Sequence, residues 1–217
     1  RGKSGRQRSR RNSFLLQREE CGDFFSGIYP NTMDGNLEKR AANIEHLYKV
    51  IDASKKLGIN LVTTFIGRDQ TKTVEENLEL VKEIWIPIVH YAEEKKVRIA
   101  IENCPMLFDG DQWPGGQNLM TTPVIWRKVF EILDSDYIGI NYDPSHFVWQ
   151  MIDYIQPLYE FKDKIFHVHY KDIKLFKEKT ERVWNNGISA SVYETEASRT
   201  GRCGLGQICI HINRHWI

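Results

Sequence analysis

From residue 24 to residue 171 the chain alternates between two hydrophobic rhythms: short crowded runs of β-branched and aromatic residues, and longer stretches whose apolar positions recur every three or four residues. The first run, Phe24 to Tyr29, reads as a strand ended by Pro30 and Asn31. Helical spacing follows at Leu37, Ala41, Ile44, Leu47, Tyr48 and Ile51, with Asn36 as N-cap and Gly58 as the stop. Ile59 to Ile66 reads as a second strand, closed by Gly67, Arg68 and Asp69. Thr73 and Glu76 make a capping box for a helix striped by Leu80, Ile84, Ile88 and Tyr91, which Pro87 is expected to bend or break. Val97 to Ile101 is a third strand, followed by Glu102-Asn103-Cys104-Pro105. The polar, turn-rich stretch Asp109 to Gly116, with Trp113 in it, reads as a long loop of the kind that forms lids or ligand contacts. Thr122 and Pro123 open a helix carrying Ile125, Val129 and Ile132. Strand Tyr137 to Asp143, helix Tyr154 to Phe161 and strand Ile165 to Lys171 complete the regular part.

Five strands alternating with helices predict an α/β fold with a parallel sheet, doubly wound or closed as a barrel. Period-2 alternation sorts the side chains. One face of the fourth strand carries Gly139, Asn141 and Asp143 against Ile138, Ile140 and Tyr142, and the fifth sets His167, His169 and Lys171 against Phe166, Val168 and Tyr170. The third sets Arg98, Ala100 and Glu102 against Ile99 and Ile101. A small or polar face that recurs on three strands suits a barrel whose interior leads to a site at the C-terminal rim. Glu102, Asp143 and His169 are expected at equivalent rim positions of successive strands, with His146 one turn beyond Asp143 and Lys171 beside them. Carboxylates with imidazole form a mixed N/O donor set for one divalent ion, Mn²⁺, Mg²⁺, Co²⁺ or Zn²⁺. Each residue alone has an ordinary structural explanation, as a helix cap, an ion-pair partner or a polar core group; their joint placement carries the expectation.

Composition narrows the class. The 217 residues are 41% hydrophobic and 27% charged, an ordinary balance for a globular chain, and no apolar run is long enough to span a bilayer. The formal net charge of +1 conceals a basic head, Arg1, Lys3, Arg6, Arg8, Arg10 and Arg11, which has no apolar segment behind it and so does not read as a secretory signal. Such a block could attract nucleic acid or an anionic membrane, but reads first as a solvated, disordered head. Four scattered cysteines, Cys21, Cys104, Cys203 and Cys209, show no zinc-finger or disulfide spacing and suggest reduced thiols in the cytoplasm.

Four segments together go further. Residues 101–106, 113–116, 141–146 and 166–172, joined by 64–69, closely resemble the sugar phosphate isomerase/epimerase family, the xylose isomerase-like TIM barrels, over about Ser26 to Lys179. The resemblance implies a TIM (β/α) barrel present as its third to seventh strands, with the first two and the eighth missing. Residues 1–23 are then a basic head, 24–180 the partial barrel, and 181–217 a divergent tail. A permitted back-translation of Ala197 to Trp216, shifted by one nucleotide, restores a segment like the approach to the family's eighth strand, so the tail is expected to be out of frame. By resemblance Glu102, Asp143 and His169 hold the metal, together with a second glutamate for which Glu194 and Glu196, in a context read as structureless, are no candidates. His146 contacts substrate oxygens, and Lys171 and Trp113 join it on the substrate side. The implied activity is isomerisation or epimerisation of a sugar, sugar phosphate or polyol by proton transfer next to a carbonyl, with Glu102 as one base. Dehydration of a cyclic polyol, endonuclease IV-like hydrolysis and a non-catalytic binding role are the alternatives on the same scaffold. The expected partner is a small sugar rather than nucleic acid or membrane. A remnant with open strand edges is also expected to be unstable or to self-associate, as a homo-oligomer or otherwise, and to lack activity as it stands.

Overall fold

A computed structural model describes residues 30–106, 116–176, 178 and 193–197. The expected strand at Phe24 to Tyr29, the basic head, Trp113 and most of the tail lie outside them. Helix α1, Leu37–Leu57, begins where the Asn36 side chain accepts from the backbone N–H groups of Glu38 and Lys39, and ends on Gly58 in the left-handed conformation. Strand β1, Leu61–Thr64, and helix α2, Val74–Lys95, follow, the latter closed at its start by the reciprocal Thr73–Glu76 capping box. Of the bend or break expected at Pro87, the break does not occur, and α2 continues through it. Its ring lies on the exposed side of the helix, while Ile84, Trp85, Ile88 and Val89 around it are buried. Burial worth about 1.5–3 kcal/mol per large apolar side chain outweighs the roughly 3 kcal/mol that an interior proline costs.

Strand β2, Arg98–Glu102, leads through helix α3, Pro123–Leu133, to strand β3, Ile138–Tyr142. Two short helices come next, α4, Pro144–Gln150, and α5, Gln156–Glu160, and then strand β4, Ile165–Val168. The four strands form a parallel sheet in the order β1-β2-β3-β4, so each strand lies beside its predecessor and all C-terminal ends share one edge. Gly139 allows β3 and β4 to close up: a Cβ there would sit 2.3 Å from the Lys164 carbonyl and 2.7 Å from the Phe166 ring. Below the edge, Trp126 of α3 stacks on Phe147 and meets Tyr142 and Phe161 edge-on, locking α4 against the sheet.

The expected strand Ile165 to Lys171 is two strands. β4 ends at Val168, and β5, Lys171–Leu175, leaves the sheet to pair antiparallel with β6, Tyr193–Ala197. Glu194 and Glu196 therefore stand in a strand, not in the structureless context expected. Continuous alternation from Phe166 to Tyr170 hides a break that only pairing partners decide.

Candidate metal centre

Register sets the layout of the edge. Glu102 lies opposite Asn141, and Asn141 opposite His167, so Asp143 and His169 stand two residues further along their strands than Glu102 does. The expected equivalent positions are thus corrected to a stagger, which strands tilted in a barrel require. The stagger carries Asp143 past the end of β3 to cap α4: its Oδ1 accepts from Ser145 N at 3.0 Å and Ser145 Oγ at 2.6 Å. That turn lifts His146 back over the sheet. His169 stays close because its N–H donates to the Tyr142 carbonyl at 2.8 Å.

Two asparagines that sequence reasoning passed over hold the strand ends. Asn103 bridges β2 to β3, its Oδ1 accepting from Asp143 N at 2.7 Å and its Nδ2 donating to the Asp143 carbonyl at 3.0 Å. Asn118 donates to the carbonyls of Glu102 and Cys104, both at 2.7 Å. A third, Asn141, lies between His167 and His169. All three are fully or almost fully buried. Of the three, only Asn103 carries a signal in the sequence, an amide directly after a strand end with no helix to cap.

Glu102, Asp143 and His146 each offer a ligand atom within 4.8 Å of the others. His146 Nε2 lies 3.4 Å from Asp143 Oδ2 and 3.8 Å from Glu102 Oε1, while His169 Nδ1 lies 3.3 Å from Glu102 Oε1 and 3.8 Å from Asp143 Oδ2. Lys171 Nζ reaches Asp143 Oδ2 at 2.7 Å and Glu102 Oε1 at 3.7 Å. Five sequence-predicted residues therefore meet around one pair of carboxylate oxygens. The sixth, Trp113, lies outside the described residues.

Charge in this enclosure is unevenly held. Burial opposes ionisation of Glu102, but the imidazoles of His146 and His169 outweigh it and bring its carboxyl down to about 2. Asp143 is likewise buried, and His169, His146 and Lys171 hold it well below the usual carboxylate range. Burial also works against a charged His146, yet the neighbouring Cys104 and then the two carboxylates push it up to about 10. Burial opposes charge on His169 as well, and Asp143 and Glu102 raise it to about 9. The acids are thus poised for positive charge.

A divalent cation fits this donor set. Among the described residues His146 Nε2 is buried with no hydrogen-bond partner, while buried Asp143 Oδ2 has the Lys171 ammonium 2.7 Å away. Leaving a buried nitrogen unsatisfied is costly, and a cation between the imidazole and the carboxylates satisfies it. Oxygen and imidazole donors without thiolate match Mn²⁺, Co²⁺ and Zn²⁺, and Mg²⁺ if carboxylates dominate.

Solved structures share this fold. A structure titled as a xylose isomerase domain protein from Planctomyces limnophilus superposes with a TM-score of 0.59 at 15% identity, covering 82% of this chain and 56% of that one. A structure of IOLI protein with a binding zinc atom gives 0.55 at 20% identity, covering 67% and 49%. A D-tagatose 3-epimerase-like protein gives 0.53 at 21%, covering 75% and 61%. At these identities the likeness establishes the fold, and the chain spans about half to three fifths of the length of these structures. No curated protein matches it in sequence. The family model described as xylose isomerase-like TIM barrel matches residues 21–208, most of the chain and every residue of the site. With parallel strands delivering acids and imidazoles to their C-terminal edge and that match running through them, the chain belongs to the xylose isomerase-like TIM barrel family.

Proposed function

We propose that this chain carries the metal-binding half of a divalent-metal-dependent isomerase or epimerase acting on a sugar, sugar phosphate or related polyol, by proton transfer at a carbon next to a carbonyl. The observation that carries the reading is the meeting of Glu102, Asp143 and His146 at the C-terminal edge of the parallel sheet, with His169 Nδ1 within 3.3 Å of Glu102 Oε1 and 3.8 Å of Asp143 Oδ2. Glu102, Asp143 and His169 are assigned as ligands. A bound divalent ion would supply Lewis acidity, polarising carbonyl and hydroxyl oxygens and offsetting the negative charge that develops as the proton leaves.

The remaining work falls to the chain. His146 sits on the first turn of α4, against Trp149 and above the carboxylates, where its proton can be donated to a substrate oxygen. Glu102 is held ionised, so its carboxylate is free of a proton and can accept one. Lys171, a third exposed at its side chain, offers an ammonium to a substrate hydroxyl or phosphate oxygen. Trp113, in the connection between β2 and α3, is kept as a substrate contact on sequence grounds.

Deuterium exchange tests this directly. The manganese- or zinc-loaded protein, incubated in D₂O with a panel of ketopentoses, ketohexoses and inososes, is expected to place deuterium on the carbon beside the carbonyl of at least one of them. His146→Gln should slow that exchange by about 10²–10⁴-fold. Metal-loaded protein that exchanges no member of the panel would count against the reading.

A further inference from the structure

We propose that Asn141 is a positioning residue that selects which nitrogen of His169 faces a cation and passes the same choice on to His167. This inference rests on the proposed metal function. Asn141 is fully buried, with Nδ2 3.2 Å from His169 Nε2 and Oδ1 2.8 Å from His167 Nδ1. The two rings stand perpendicular, their centroids 5.4 Å apart, so one amide serves both. The group of potential ligands Glu102, Asp143 and His146 includes neither His167 nor His169, whose link to the carboxylates is the approach of Nδ1 to 3.3 Å from Glu102 Oε1.

A carboxamide has a donor end and an acceptor end, so two imidazole nitrogens that face its opposite ends must differ: one carries a proton and the other does not. His169 turns Nδ1 to the carboxylates, 3.3 Å from Glu102 Oε1. Ligation through Nδ1 therefore needs that nitrogen bare and the proton on Nε2. That proton requires an acceptor, and among the described residues the Asn141 amide is the group placed against Nε2, so its oxygen is the acceptor. In the structure the amide nitrogen faces His169 and the oxygen faces His167, so ligation entails a half-turn of the amide. The amide N–H then points at His167 Nδ1, which must accept, leaving the His167 proton on Nε2. Neutral imidazole is the form that can do this. Through Asn141, a residue that touches no cation reports how His169 holds one.

The test uses zinc and histidine-¹⁵N-labelled protein. Long-range ¹H–¹⁵N correlation of the zinc-loaded wild type is expected to show His167 protonated on Nε2. In zinc-loaded Asn141→Asp, whose carboxylate accepts from both rings, the His167 proton is expected on Nδ1, with zinc bound at least as tightly as in the wild type. Asn141→Ala is expected to bind zinc about 10–100-fold more weakly. Wild-type His167 protonated on Nδ1 in the zinc-loaded state, or wild-type zinc affinity in Asn141→Ala, would overturn the assignment while leaving the metal function standing. Should the alanine variant fail to fold, the tautomers of the wild type and of Asn141→Asp still decide. Failure of the wild type to bind zinc at all overturns the metal function itself, and this inference with it.

Discussion

Glu102 carries its charge where burial alone would remove it, and the histidines that keep it charged are themselves kept charged by it. This mutual support has a pH signature. In metal-free protein the Glu102 contribution to stability is complete above the unfolded carboxyl value of about 4.5 and is lost as pH falls through about 2. The His146 and His169 contributions are complete below about 6.5 and are lost as pH rises through about 9 and 10. Stability should therefore be greatest between about pH 4.5 and 6.5 and decline into the alkaline range, as chemical unfolding at a series of pH values would show. An ion held by imidazole must displace its proton, so zinc binding at pH 7 is expected to release protons and to tighten as pH rises. Calorimetric enthalpies that do not vary with the ionisation enthalpy of the buffer would contradict this.

The elements show what the sequence discloses and what it withholds. Asn36, Gly58, Thr73 with Glu76, and Pro123 mark helix ends through chemistry confined to a few neighbouring residues, and each is found where expected. Helix α4 was not foreseen: its seven residues, Pro144 to Gln150, are too few for a periodic stripe, and its start is fixed by Asp143, whose side chain reads equally well as a ligand. The break between β4 and β5 and the stagger of Asp143 against Glu102 depend on partner strands, which local patterning does not specify. Asn103 illustrates the gap, since its value lies wholly in a bridge to a residue 40 positions away. Replacing it with alanine leaves the Asp143 N–H and carbonyl without their partner and is expected to cost about 1–3 kcal/mol in denaturant unfolding. Because the same bridge fixes Asp143 beside Glu102, metal affinity should fall too; unchanged stability and affinity would show the bridge to be incidental.

At the scale of the whole molecule, alternation of strand and helix is enough to reach the α/β class with a parallel sheet, because parallel strands need crossovers and their ends then share one edge; the choice of a barrel over a doubly wound sheet comes from the family motifs. Five of the six site residues expected from sequence meet on that edge, and the family match runs through all of them. The structure adds that the meeting point joins chain segments far apart in sequence: the end of β2, the turn into α4, and the link from β4 to β5. An ion held there cross-links all three. Calorimetric titration of zinc or manganese into the wild type, Glu102→Gln and His169→Ala tests this most directly. One equivalent is expected to bind to the wild type, with an affinity at least about 10-fold weaker in each variant, on the scale of lost metal-site groups. A wild type that binds neither ion, or variants that bind as the wild type does, would contradict it.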